Sequence, residues 1–490
     1  MNLQQLLRGV KYTKLYGWKD IEIHEVHFDS RKVGEGDLFV AQRGESADGH
    51  DYIANAVAQK AKAILCEQFP DDISKGAFTT LTWILVENSS EALGLIASNL
   101  YWNPSQRLKL VGITGTNGKT TTATLLYDML QLMGKHAGLL STVCNYIDGE
   151  KVAATHTTPD ALTINRLLKH MADVGCEYCF MEVSSHSIVQ RRIAGLKFAG
   201  GIFSNITHDH LDYHKTFQNY IAAKKGFFDG LGKDAFALTN IDDKNGSVML
   251  QNTSAKKYTY SCRTMAEFNA KTIEKHLDGS LLQIDADEVW TNFVGDFNTY
   301  NLLAVYATAV LLGFDKREIL RCMSTLKPVS GRFETLISKS GVVAIVDYAH
   351  TPDALENVLS TIVKLKGKSN IVISVLGAGG NRDKTKRPEM ADAACRYSDK
   401  VILTSDNPRN EEPEDILKDM QAGVKEEYKK NVLSIVDRRE AIRTAIMLAS
   451  KDDIVLIAGK GHEDYQEIKG VKHHFDDKEV VNDIYKKDMQ

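Results

Sequence analysis

The stretch Val111-Gly112-Ile113-Thr114-Gly115-Thr116-Asn117-Gly118-Lys119-Thr120 decides how the rest of the chain is read. An apolar run, Leu108 to Ile113, feeds a glycine-rich turn, and the turn opens onto a helix-like segment from Thr121 to Met133. Strand, glycine loop, Lys-Thr and helix form the layout of a phosphate cradle. Glycines let backbone N–H groups approach phosphate oxygens, the helix N-terminus adds positive potential, and Lys119 and Thr120 supply an ammonium and a Mg²⁺-ligating hydroxyl. The general phosphate-loop pattern asks for another glycine where this chain has Ile113. A fortuitous Gly-rich turn is the plain alternative, and the strand, the Lys-Thr pair and the helix together argue against it.

At 490 residues the chain exceeds a single ordinary core, so about two to four domains are expected. Hydrophobic content of 43% and charged content of 25% are those of a soluble globular protein. The net charge of −4 shows no basic excess, which argues against a nucleic-acid-binding scaffold. No apolar run is long enough to span a bilayer, and Met1-Asn2-Leu3-Gln4-Gln5 does not begin a secretory signal. The expectation is a cytoplasmic protein without membrane insertion. The cysteines at 66, 144, 176, 179, 262, 322 and 395 are scattered. Only Cys176 and Cys179 form a C-x-x-C, and that segment reads better as the start of a buried strand with reduced thiols.

Three regions separate by pattern: 1–92, 93–330 and 331–490. The last alternates most regularly. Five apolar, β-branched runs (Val342 to Val346, Ile371 to Leu376, Val401 to Thr404, Val432 to Val436, Ile454 to Ala458) recur between amphipathic stretches. This implies a mostly parallel sheet with helices on both faces. Each run is followed by polar residues: Asp347 to His350, Gly377 to Asp383, Ser405 to Arg409, Asp437 to Glu440, and Gly459 to Glu463. Open α/β sheets bind ligands at the carboxyl ends of their strands, so these ends together predict a site. The tail from Lys469 reads as a solvated surface.

Downstream of the phosphate loop, Glu182 ends the apolar run Phe180-Met181. That is where a nucleotide-bound Mg²⁺ finds a carboxylate. Next, His208-Asp209-His210-Leu211-Asp212-Tyr213-His214 offers several ligand-capable side chains. From chemistry alone zinc and a magnesium or phosphate site stay equally open. Lys224 and Lys225 lie in a helical segment, Phe217 to Phe228, and read as a solvent-facing pair. The basic run Arg382 to Arg387 and the fork of Arg409 suit an anionic ligand, with a solvated surface charge the alternative for either arginine.

Taken together these motifs closely resemble the Mur ligase family of cell-wall precursor synthesis, and within it the MurE type. The resemblance covers essentially the whole chain. It is carried by Asp29-Ser30-Arg31-Lys32-Val33, Gly36 to Phe39, Asp48-Gly49-His50, Gly115 to Thr120, Thr157-Thr158-Pro159, Glu182 to His186, Gln190 with Arg192, and Asn205 to Asp212. It continues through Gly295 to Asn298, Asn301, Gly331 to Glu334, Asp347 to His350, Asp406 to Arg409, and Gly459 to Glu463. Gly-Thr-Asn-Gly-Lys-Thr is the family's usual loop, so the resemblance removes the objection at Ile113.

The resemblance implies an α/β fold of three domains: an N-terminal UDP-substrate-binding domain, a central P-loop-type ATPase, and a C-terminal Rossmann-like domain that binds the amino acid. It implies an ATP-dependent amide ligase acting through an acyl phosphate, with ATP and Mg²⁺ as cofactors. Gly115, Thr116, Asn117, Gly118, Lys119, Thr120, Thr121, Asn298, Asn301, Arg332 and His350 would hold ATP. Thr120, Glu182 and His210 would hold metal, together with Lys224, which in this family is carbamylated by CO₂. Ser30, Thr157, Thr158, Ser184, Gln190 and Arg192 would bind UDP-N-acetylmuramoyl-L-alanyl-D-glutamate.

Asp406-Asn407-Pro408-Arg409 resembles the form that accepts meso-2,6-diaminopimelate. The arginine could bind the distal carboxylate bidentately. Arg382, Gly459 and Glu463 would complete that pocket, with Glu463 facing the distal ammonium. Domain closure and a monomer are expected. A lysine-adding relative, a folylpolyglutamate-synthetase-like ligase and a regulatory nucleotide switch are the competing readings. The region Asp29 to Phe39 speaks against the second, and the loaded strand ends against the third.

Overall fold

Apolar runs spaced by amphipathic stretches form three successive sheets in the computed structural model, which describes residues 1–44, 47–70, 81–154, 156–207 and 209–487. The first sheet has five strands in the order Lys14–Tyr16, Thr82–Leu85, Ala63–Cys66, Leu38–Val40 and Val26–His27. The helix Ser89–Leu100 begins where the Asn88 side chain accepts from Glu91 N–H. It buries Leu93, Ile96 and Ala97 against Leu38 and Leu65 of that sheet.

The central sheet has eleven strands. Lys109–Thr114 lies between Tyr178–Glu182 and Gly200–Phe203, parallel to both. The register is what positions the site. Glu182 pairs with Ile113 and Phe203 with Thr114, so a carboxylate and the segment from Ser204 both emerge level with the glycine loop. Helices Lys119–Leu132 and Asp296–Leu311 pack one face through residues such as Leu126, Met129, Leu303 and Tyr306. Helices Ala161–Asp173 and Phe217–Asp229 pack the other through Ile164, Leu168, Tyr220 and Phe227.

The last sheet runs Glu334–Ile337, Val343–Asp347, Ile454–Ala458, Val372–Ala378, Lys400–Ser405, Val432–Ser434. Only the first strand is antiparallel. Separate apolar layers cover its two faces, one built on Leu359, Ala391 and Leu403, the other on Ile402, Ile442 and Val481. All five parallel strands deliver their polar followers to one edge.

The tail departs from the solvated surface expected of it. It forms a hairpin, Tyr465–Ile468 with Val471–His474, then a helix, Asp477–Lys487. Val480 and Val481 are fully buried, and the Asp477 carboxylate takes two hydrogen bonds from buried Arg438 at 2.8 and 2.7 Å. The surrounding charges mask this short apolar period, and the buried guanidinium requires a partner that only the fold supplies.

The cysteines are free thiols, all buried except the partly exposed Cys262. Burial pushes the Cys66 thiol up to about 12 and that of Cys176 to about 11. Among the described residues no helix is long and apolar enough to cross a membrane.

Candidate active site

The glycine loop passes directly into helix Lys119–Leu132. Gly118 caps it at φ +86°, and a Cβ there would come within 2.4 Å of Asn301 Oδ1. Only glycine tolerates both that backbone and that neighbour. Asn301 Nδ2 in turn donates to Asn298 Oδ1 at 3.1 Å, so Asn298 backs the asparagine that stands at the loop. Asn205 holds the loop from below, taking hydrogen bonds from the N–H groups of Thr116 and Asn117, both at 2.9 Å. Lys119 Nζ folds back onto the carbonyls of Gly115 and Thr116, at 2.9 and 2.8 Å. Burial lowers its pKa, opposed by Glu182 and Asp209. Thr120 and Thr121 are buried on the first turn.

Glu182 is fully buried. Its Oε1 accepts from Thr142 N–H at 2.8 Å, and its Oε2 has no hydrogen-bond partner. An unpaired buried carboxylate oxygen is costly unless a cation completes it. His210 adopts φ +55°, with its ring edge-on to His186 at 5.0 Å. Burial pushes its imidazole down to about 4, with Asp209 opposing and Lys119 and His186 adding. The ring is therefore neutral at pH 7, the form that can donate a lone pair. His214 is buried and shares a hydrogen bond with Ser185 Oγ at 2.9 Å. His208 and the side chain of Asp212 lie outside the described residues.

Lys224 is not on the solvent face where its sequence placed it. It is 1% exposed, its Nζ donates to Gly115 O at 2.8 Å, and it sits 4.7 Å over the Tyr220 ring. Burial and the nearby Lys119 hold its pKa well below the usual lysine value. Lys225, one residue on and so facing elsewhere, pairs with Asp229 at 2.7 Å.

The C-terminal region closes over this loop. Arg332 Nη2 donates to Thr120 Oγ1 at 3.2 Å, and its guanidinium lies 4.5 Å over the Tyr348 ring. His350 is exposed and packs against the same ring at 4.6 Å. Two ties that sequence reasoning did not assign join them. Asp353 Oδ2 accepts from Asn117 Nδ2 and Thr207 Oγ1, both at 3.1 Å. Lys386 Nζ lies 2.6 Å from Asp209 Oδ1. Their signals were position alone: Asp353 lies three residues after His350, on the first turn of helix Pro352–Leu365, and Lys386 belongs to the basic run.

Thr158 links its neighbours to Glu182: Oγ1 donates to Glu182 O at 2.8 Å and accepts from Ser184 N–H at 3.1 Å, while its carbonyl accepts from Arg192 Nη1 at 2.8 Å. Thr157 Oγ1 bonds Thr142 Oγ1 at 3.1 Å, and Gln190 donates to Tyr213 OH at 3.4 Å. Ser30 stands apart, buried on the turn Ser30–Lys32 of the first sheet.

At the last sheet's carboxyl edge, Asp406 and Asn407 follow strand Lys400–Ser405. Asn407 Nδ2 donates to Glu463 Oε2 at 2.7 Å. Gly459, at φ +114°, leaves room for Asp406, whose Oδ2 would lie 2.7 Å from a Cβ there. Arg409 Nη1 donates to Gly380 O at 2.7 Å. Arg382 is exposed nearby. Lys460, which sequence reasoning missed, is fully buried and donates to Glu463 at 3.2 Å and Asn407 at 3.3 Å. Arg387 corrects the reading of the basic run. It is buried, and its guanidinium is taken up by Glu411 and Asp419 at 2.9 and 2.7 Å, so it is not available to a ligand.

Family models meet this architecture region by region: the Mur ligase family, catalytic domain, over 22–101; the Mur ligase middle domain over 113–309; and the Mur ligase, glutamate ligase domain, over 331–461. A UDP-N-acetylmuramoyl-L-alanyl-D-glutamate--2,6-diaminopimelate ligase of Bacteroides fragilis is 57% identical over 486 residues, 99% of each chain.

The chain belongs to the Mur ligase family.

A ligase of the same name from Cytophaga hutchinsonii is 57% identical over 484 residues, again 99% of each. A solved structure of a UDP-N-acetylmuramoyl-L-alanyl-D-glutamate--2,6-diaminopimelate ligase superposes with a TM-score of 0.70 at 30% identity, covering 100% of this chain and 99% of that one. In this Mur ligase the glycine loop, Glu182, His210 and Lys224 gather around Lys119, and Asp406, Arg409 and Glu463 lie along the carboxyl edge of the last sheet.

Proposed function

We propose that this Mur ligase joins meso-2,6-diaminopimelate to UDP-N-acetylmuramoyl-L-alanyl-D-glutamate at the expense of ATP. The observation that carries the reading is that an arginine fork, Arg409, and a carboxylate, Glu463, follow two parallel strands of the same sheet, Lys400–Ser405 and Ile454–Ala458, with Asn407 bonded to Glu463 at 2.7 Å and two residues before Arg409 in sequence. The distal end of diaminopimelate carries a carboxylate and an ammonium, and these two residues answer both. Lysine would bring only an ammonium, which Arg409 repels.

ATP lies with its phosphates on the loop Gly115 to Thr121, with Lys119 and Arg332 on the transferring group and Asn298, Asn301 and His350 around the nucleotide. The D-glutamyl carboxylate attacks the γ-phosphorus and ADP leaves, giving an acyl phosphate. The free amine of diaminopimelate then attacks the acyl carbon, and phosphate departs from the tetrahedral intermediate. Thr157, Thr158, Ser184, Gln190 and Arg192 position the UDP-linked substrate beside Glu182, and Ser30 reaches its nucleotide end.

Mg²⁺ fits the donor set. Glu182 Oε2 is buried and unpaired, Thr120 is adjacent to the loop, and the His210 imidazole is neutral. Bound there, the ion would offset charge on the phosphoryl oxygens. Lys224 has the depressed basicity that leaves a free amine, the form that combines with CO₂. Its carbamate would turn a cation beside Gly115 into a metal-ligating anion. We infer a monomer working in the cytoplasm on three domains, with boundaries near 92 and 330. The test is phosphate release from ATP: it should require both the UDP-linked dipeptide and the amino acid. Steady hydrolysis without either would point to a nucleotide switch instead.

A further inference from the structure

The hairpin 465–474 contributes little to any core. Every residue of its outer strand, Val471–His474, is exposed. Yet it spends its inner strand on the loop Asp406–Arg409. Gln466 Nε2 donates to the Asp406 carbonyl at 2.7 Å, and Glu467 N–H donates to Asn407 Oδ1 at 2.9 Å. Arg409 N–H donates to Glu467 O at 2.9 Å, and its carbonyl accepts from Lys469 N–H at 2.7 Å. Buried Lys460 bonds the Tyr465 carbonyl and so anchors the near end of the hairpin.

These bonds have a conformational purpose. Arg409 sits at φ +53°, in the left-handed region that a side chain with a Cβ seldom adopts. A loop free in solution would leave that region. Here both backbone polar groups of Arg409 are bonded to the hairpin. The Glu467 carboxylate also lies 3.5 Å from Arg409 Nε, alongside the bond from Nη1 to Gly380 O. The guanidinium thus has a carbonyl on Nη1 and a carboxylate beside Nε before any ligand arrives.

We propose that hairpin 465–474 is the device that presets Arg409 for the distal carboxylate of the incoming amino acid, with Gln466 and Glu467 as positioning residues. Preorganisation of this kind appears as affinity for the one ligand whose fork is preset, because ordering the arginine no longer opposes binding. The inference rests on the reading of Arg409 as the diaminopimelate-binding arginine.

The test compares Gln466→Met and Glu467→Gln with Arg409→Ala in the full-length enzyme, measuring KM for each substrate and the preference for meso-diaminopimelate over L-lysine. Gln466→Met keeps the volume and removes one anchor. Glu467→Gln keeps the backbone bonds and removes the charge beside Nε. Each should raise KM for diaminopimelate by about tenfold, the loss of one hydrogen bond to a charged or preset group. KM for ATP and for the UDP-linked dipeptide should stay within about twofold, a change too small for a lost contact. Arg409→Ala should do the same more severely. If Arg409→Ala loses the preference while both hairpin variants keep wild-type KM, the hairpin is not the presetting device and the proposal falls alone. A rise in all three KM values together would reduce the hairpin to a general brace and also overturn it. Unchanged preference in Arg409→Ala would overturn the reading of the arginine itself, and the proposal with it.

Discussion

Lys386 of the C-terminal sheet region reaches across the cleft and places its ammonium 2.6 Å from the carboxylate of Asp209 in the central region. Burial would raise the Asp209 pKa, but His210 and Lys386 together hold it well below the usual carboxylate range. Asp209 Oδ1 also accepts the N–H of His210, so the ion pair fixes the backbone of the imidazole proposed to ligate metal. With the bonds of Asp353 and Arg332, it makes a jointed contact between the glycine loop and the C-terminal sheet region, which carries the proposed amino-acid pocket.

Lys386→Met should therefore lower kcat/KM for ATP by roughly ten- to a hundredfold, since removing one partner leaves a buried charge unpaired. Steady-state kinetics measures this, and small-angle scattering should show a more open average shape. Wild-type kinetics in this variant would remove the ion pair from the closing mechanism.

Lys224→Ala should lose activity by roughly a hundredfold or more, as expected when a ligand of the ion that offsets phosphoryl charge is removed. Bicarbonate should not restore it, because no amine remains to take up CO₂. A small carboxylic acid such as acetate, filling the vacated space beside Gly115, should restore part of it. Full activity in the variant would take the carbamate out of the mechanism.

Arg387 gives a stability prediction with a defined sign. Its hydrogen bonds push the Glu411 carboxyl from 4.5 down to about 2, against a smaller opposing effect of burial. A folded-state pKa below the unfolded one contributes stability that is complete above the unfolded value and fades as pH falls through the folded value. The contribution is therefore present at neutral pH and lost between pH 4.5 and about 2. Thermal melts of Glu411→Gln should start lower than wild type at pH 7 and converge with it through that window. Parallel curves would show that the bidentate pair is not a source of acid sensitivity.

The last sheet was legible because its signal is local. Five β-branched runs with polar followers describe parallel strands and their carboxyl ends without any long-range information, and the observed strands lie within a few residues of them. The glycine loop was legible for the same reason. What stayed hidden depends on partners far away in sequence. Lys224 and Lys225 are indistinguishable as letters, and only the packing of helix Phe217–Asp229 on the loop separates a buried amine from a surface one. Asp353 and Lys386 look like ordinary helix charges until the domains meet. Asp477 sits in a charged tail, and nothing local marks it as the partner of Arg438.

The measurement closest to the central claim is a ligation assay with ATP and UDP-N-acetylmuramoyl-L-alanyl-D-glutamate in which meso-diaminopimelate and L-lysine compete at equal concentration. Arg409 and Glu463, on the same sheet edge, predict the diaminopimelate product, with one phosphate released per amide bond formed. A lysine product in excess, under the same conditions, would contradict it.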